Sequence, residues 1–201
     1  MKILLSLAAL VAAVTAFAQG TSQAILGYTN SVSVRIDSIT AGWTFEPATP
    51  LTVTNLGCFA KVFNDNPVPS VRIGLWAPNG SLLASSTITP GSTLFDQSRY
   101  ESIAPVQVFP GQTYALGLLY FGDLGLDVAN SFAGGVVQVS PEIKSVTVAS
   151  GTGGFTAPLP ETGSPIGAYL GPNFRYDGRV PEPSSWLLLG LGGLLLAARR
   201  K

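Results

Sequence analysis

The 201-residue chain has no histidine, one cysteine and only 11% charged residues. Each shortage excludes something. Without imidazole there is no Ser-His-Asp or Cys-His nucleophile system and no histidine-ligated metal centre. A single cysteine cannot close an internal disulfide, so the fold must hold by packing, and Cys58 reads as a small buried hydrophobe in a strand. No G-x-S-x-G elbow, G-x-x-x-x-G-K phosphate loop or S-x-x-K motif occurs, which leaves only carboxylate chemistry. A glycosidase needs two carboxyls facing each other across a cleft, yet Asp65, Asp96, Asp123 and Asp127 fall in turn-like stretches where capping and solubility account for them. The chain therefore reads as a non-enzyme with no cofactor and no metal. Basic charge is short as well. Between Gln19 and Val180 seven bases face ten acids, a net −3, which argues against a nucleic-acid partner.

What the chain does have is apolar residues at 46%, spread along its length, and 23 glycines and 15 prolines as punctuation. From Ser31 to about Asp177 the apolar pattern has period two. "LTVTNLGCF" (51–59) sets Leu51, Val53, Asn55, Gly57 and Phe59 against Thr52, Thr54, Leu56 and Cys58. "VRIGLW" (71–76) sets Val71, Ile73 and Leu75 against Arg72, Gly74 and Trp76, and "TYALGLLY" (113–120) is apolar enough for both faces to be covered. "APNGS" (77–81) places Asn79-Gly80 at a tight hairpin joining strands 71–76 and 82–88, and "FPGQT" (109–113) places Pro110-Gly111 in a type II turn. Further strands are predicted at 32–36, 43–46, 99–103, 106–109, 135–139, 144–149 and 173–177, and a long surface loop at 149–165. About ten short strands predict an all-β, antiparallel sandwich or jelly-roll-like domain. "FNDNP" (63–67) gathers Asn64, Asp65 and Asn66, oxygen donors that suit Ca²⁺, but a turn selects the same residues; "DLGLD" (123–127) alone is a loop. Asn79-Gly80-Ser81 also fits a glycosylation sequon, although the hairpin already explains it.

Both ends differ from this body. Lys2, the apolar run "ILLSLAALVAAV" and small residues at Ala16 and Ala18 predict a signal peptide over 1–18, cut by signal peptidase before Gln19. The β-domain would then span 19–177. A linker over 178–185 holds Pro181, Glu182 and Pro183, which stop strand and helix alike. The tail over 186–201 begins with the thirteen apolar residues from Trp186 to Ala198. As a helix this run would be about 20 Å long against a hydrocarbon core of about 30 Å. It could span by thinning the bilayer while Arg199, Arg200 and Lys201 snorkel, and those charges favour the cytoplasmic side. The domain would then lie outside the inner membrane, in agreement with the N-terminal signal.

"VPEPSSWLLLGLGGLLLAARRK" (180–201) closely resembles the PEP-CTERM sorting signal: a Pro-Glu-Pro triplet, a short Gly/Leu-rich helix and a terminal basic cluster. The resemblance implies that Pro181, Glu182 and Pro183 are the recognition triplet in a Gram-negative exporter. It also implies an exosortase, a membrane-embedded cysteine-dependent transpeptidase, that removes the tail and delivers the body to the cell surface or an exopolysaccharide matrix. The body is similar, more loosely, to an extracellular β-sandwich domain of unknown function found in bacterial surface proteins and beside carbohydrate-active modules. "AGWTFEPATPLTVTNLGCF", "VRIGLWAPNGSLLASSTI", "RYESIAPVQVFPGQTYALGLLY" and "GPNFRYD" carry that likeness. A structural or adhesive role is one expectation; the other is binding of extracellular polysaccharide through the aromatics Trp43, Trp76, Tyr120 and Tyr169, each of which could equally fill the core.

Overall fold

The computed structural model describes residues 21–28, 31–36, 39–60, 63, 69–120, 126–131, 137–152, 154–161 and 171–178. Among the described residues the elements are all strands. In chain order they are β1 (Thr21–Gln23), β2 (Ile25–Tyr28), β3 (Ser31–Ile36), β4 (Ile39–Pro47), β5 (Leu51–Phe59), β6 (Val71–Trp76), β7 (Leu82–Ile88) and β8 (Thr93–Phe95). Next come β9 (Ser98–Val108), β10 (Tyr114–Tyr120), β11 (Leu126–Ser131), β12 (Val137–Val139), β13 (Ile143–Thr152), β14 (Leu159–Pro160) and β15 (Pro172–Gly178). They form a five-stranded sheet in the order β1-β15-β5-β9-β8 and a six-stranded sheet in the order β14-β13-β4-β10-β6-β7. Two ribbons, β3 with β11 and β2 with β12, stand beside them. All pairings are antiparallel, in keeping with the connections of a few residues that join β6 to β7 and β8 to β9.

The core lies between the two large sheets. Val71, Ile73 and Leu75 of β6 and Leu116 and Leu118 of β10 are fully buried against Leu56 and Cys58 of β5. Aromatic rings cross the middle: Phe45 and Phe174 lie 4.9 Å apart between centroids, and Trp43 and Phe174 stack at 5.9 Å. The indole Nε1–H of Trp43 donates to the Pro172 carbonyl at 2.8 Å, so the one polar atom of this buried ring is satisfied by the opposite sheet.

Several expectations change. The faces of β5 do not alternate throughout: Leu51 and Val53 are buried, but so are Leu56 and Cys58. A bulge is the reason. Arg175 pairs with Asn55 while Tyr176 pairs with Val53, so Thr54 is an extra residue and parity flips beyond it. On the other side Val53 faces Val106 and Asn55 faces Ser102, so Ile103 to Pro105 bulge opposite the same point. The prolyl residue thus sits inside one strand, β9, where two were expected, at a bulge that needs no N–H from it. The hairpin after β6 forms, but only Gly80 takes positive φ (80°). The Gly80 N–H donates to the Ala77 carbonyl at 2.9 Å and the Ala77 N–H to the Ser81 carbonyl at 2.8 Å, a three-residue loop in place of a two-residue turn. Gly111 has φ 74°, as a type II turn requires. Residues 126–131, none of which lay in an expected strand, form β11, where Asp127 pairs with Arg35. β1, β2 and β8 were not foreseen either.

Candidate functional site

The expected sugar-binding aromatics do not share a surface. Trp43 is fully buried in the core. Trp76 does point away from the Val71/Ile73/Leu75 face, as its parity demands, yet only 3% of it is exposed. The cause is the segment expected to be a surface loop. Residues 154–161 fold back over the outer face of the six-stranded sheet and end in β14, which pairs with Ala149 and Ser150. Phe155 packs on Trp76 with centroids 5.0 Å apart, and the Arg72 guanidinium sits 3.9 Å from the Phe155 centroid. Thr40 ties the strap down: its hydroxyl donates to the Gly154 carbonyl at 2.6 Å and accepts the Thr156 N–H at 3.2 Å. Tyr120 pairs with Val71 through its backbone, its side chain lying outside the described residues, as does Tyr169.

The floor under this strap is a row of glycines. Gly42, Gly117 and Gly74 are register partners on β4, β10 and β6. A Cβ on Gly42 would fall 1.9 Å from the Leu116 carbonyl oxygen, and one on Gly74 would meet both the Trp76 and the Phe155 rings within 3 Å. Sequence periodicity marks such glycines only as gaps in a pattern. Nothing local says that a distant ring will lie on them.

The outer face of the five-stranded sheet is covered from within. Tyr100 lies over Gly57, its register partner. Its hydroxyl donates to Gln23 Oε1 at 3.0 Å, and Gln23 Nε2 donates to Asp96 Oδ2 at 3.1 Å. Burial holds the Tyr100 hydroxyl well above the ordinary phenol range and pushes the Cys58 thiol up in the same way. Beside them Asn173, fully buried, accepts the N–H groups of Ile25 (3.0 Å) and Phe174 (2.8 Å) and donates to the Ile25 carbonyl (3.0 Å). At one end Glu142 accepts from the hydroxyls of Ser140 and Tyr176, the Ser140 bond first in holding its carboxyl below the usual range. These are structural couplings. Every polar group in them has a partner within the domain, and among the described residues no three His, Cys, Asp or Glu side chains gather as a metal site. Asn64, Asp65, Asn66 and Asp123 lie outside the described residues.

The remaining candidates belong to the ends of the chain. Ala16, Ala18, Gln19, Pro181, Glu182, Pro183, Trp186, Arg199, Arg200 and Lys201 all lie outside the described residues. Among the described residues no helix is long and apolar enough to cross a membrane. The body is thus an all-β, sandwich-like protein of antiparallel sheets. The PEP-CTERM protein-sorting motif matches residues 179–201, so the chain carries that motif at its C-terminus, and the motif implies an exported protein processed by an exosortase. Searches of curated proteins and of solved structures return no match.

Proposed function

We propose that this chain is an exported surface or extracellular-matrix protein whose β-domain is a non-enzymatic structural or adhesive component. The observation that carries the reading is the sorting motif at 179–201. In this reading the N-terminal 18 residues direct export and are removed. The short helix from Trp186 then holds the chain in the inner membrane with the β-domain on the periplasmic side, Arg199 to Lys201 remaining in the cytoplasm. A helix of about 20 Å is a poor permanent anchor in about 30 Å of hydrocarbon but an adequate temporary one. The prolines flanking Glu182 keep the cleavage region extended and open to the sorting enzyme. A body held by packing rather than by disulfides suits a component that must persist outside the cell. Polysaccharide recognition has less support, because Trp43 and Trp76 present no open ring face.

Intact-mass measurement of surface-released protein tests this. Both termini should be shortened, with the tail missing from the Pro181–Pro183 region onward. Replacing the triplet with alanines should trap the chain in the inner membrane. Full-length tail in mature surface material would sink the sorting reading.

A further inference from the structure

Strand register fixes where the chain enters and leaves the body. Thr21, at the start of β1, pairs with Asp177; Gly178, at the end of β15, pairs with Leu51, which pairs in turn with Val108. Both exits therefore lie at one end of the sandwich, the end that also carries the connections 48–50, 77–81, 109–113 and 140–142. Those four connections hold one charged residue, Glu142, whose carboxylate accepts from Ser140 and Tyr176. Each also holds a proline: Pro50, Pro78, Pro110 and Pro141. The connections at the far end carry Lys61, Asp65, Asp96 and Asp123. At the exit end Phe109 is 48% exposed and Leu82 44%. The Phe109 N–H donates to the Tyr114 hydroxyl at 3.1 Å, and two residues on the Gly111 N–H donates to Glu46 Oε1 at 3.0 Å. An exposed ring on a turn fixed in this way needs little ordering when it meets a partner. The far end exposes Leu94 and Phe95 as well, but there Phe95 covers the Arg175 guanidinium at 4.2 Å, next to Asp96.

We infer that the exit end sits on the membrane surface, with Phe109 and Leu82 entering the headgroup region of the bilayer. Such a seat presupposes the proposed insertion of the tail and adds a contact made by the body itself. Chain length selects a lipid surface as the occupant. From Gly178 to Trp186 there are eight residue steps, a reach of about 28 Å at full extension. β4 and β5, nine residues each, make the body about 30 Å tall along its strands. The tether is too short to run that height, so the far end is not the one held against the bilayer. Before signal cleavage the seven steps from Val14 to Thr21 tie the same end a second time, within about 24 Å. Composition agrees with the tethers. Loops without free charge lose little on entering the headgroup region, and phenylalanine and leucine are side chains that bury there. The charged far end would lose hydration without compensation.

The full chain in phosphatidylcholine vesicles provides the test. Cys58 is buried, so Gln112→Cys, exposed in the same turn as Phe109, supplies the accessible thiol for a fluorescent label. Leu94→Cys carries the label at the far end for comparison. Spin-labelled lipid headgroups should quench the fluorophore at 112 at least threefold more strongly than the one at 94 (about threefold or more by proximity to the bilayer). Phe109→Asp, folded by circular dichroism, should lose about half of that quenching or more while the chain still floats with the vesicles. Leu82→Asp should act in the same direction with a smaller effect. Equal quenching at both labels, or quenching at 112 that neither substitution changes, would overturn the contact. Shielding of the label at 112 from iodide without lipid quenching would overturn it too, since that marks a protein occupant. The two readings fail differently. A chain that floats but shows equal quenching refutes the contact alone, whereas a chain that does not float refutes the tail's insertion and the contact with it.

Discussion

The two large sheets cover their outer faces by opposite means. On the six-stranded sheet the floor is emptied of side chains (Gly42, Gly117, Gly74) and a segment from elsewhere in the chain, Gly154 to Pro158, is laid into the trough. On the five-stranded sheet the cover grows out of the sheet itself, as Tyr100 folds over Gly57 and is pinned by Gln23. In each case a glycine makes room for an aromatic ring. The donor of the ring differs, local in one sheet and long-range in the other. Outer faces of antiparallel sheets are often solvated; here neither central stretch is, so period-two alternation alone misjudges which side chains reach water.

The sharpest way to break the comparison is at the trough. Gly42→Ala would drive a methyl into the Leu116 carbonyl, backbone that cannot move aside, and should cost about 3 kcal/mol or prevent folding altogether. Urea denaturation checks it, and near-native stability would show that β4 and β10 are not held as described. A milder pair of variants compares the two covers directly. Phe155→Ala removes a ring from Trp76 and should cost about 2–3 kcal/mol with a red shift in tryptophan emission. Tyr100→Phe keeps its ring and loses one buried hydrogen bond, about 1 kcal/mol. Equal losses would mean that the local and long-range covers do not differ in kind.

The smallest effect is a dependence on pH that belongs to the five-stranded sheet. Cys58, Tyr100 and Tyr176 all stand on it, and burial raises the pKa of each. The unfolded chain therefore releases protons that the folded chain keeps. Stability is fully present below the unfolded values, about 8.5 for the thiol and about 10 for the phenols, and falls as pH rises past them. Thermal melts from neutral to alkaline pH should show this decline, and Cys58→Ala should remove its first part. A flat profile would mean that these groups are solvated in the folded state.

Much of the body was legible because turn chemistry is local. Pro110-Gly111 and the Asn79-Gly80 step mark their turns, and the ends of β5, β6 and β7 fall where period-two runs stop. The misjudgements share a cause. Thr54 looks like any strand threonine until β15 and β9 are beside it, when it becomes the extra residue that turns Leu56 and Cys58 inward. Asn173 opens the predicted strand at 173–177 as one more polar strand residue, yet it is fully buried and makes three hydrogen bonds, two of them to Ile25, 148 residues away. Bulges and buried amides are defined by their partners, so no window of sequence contains them.

The tail shows the opposite case. Residues 179–201 carry their meaning in order and composition, a triplet, a short apolar run and a basic end, a sorting motif that implies exosortase processing without reference to any fold. Sequence alone was sufficient there, and also for the all-β class, because strand alternation and turn residues act over a few neighbours. Only the tertiary structure decided that Trp76 lies under a strap and that Trp43 bridges the sheets. Those outcomes depend on which distant surface arrives to cover each position, a choice made when the two sheets close.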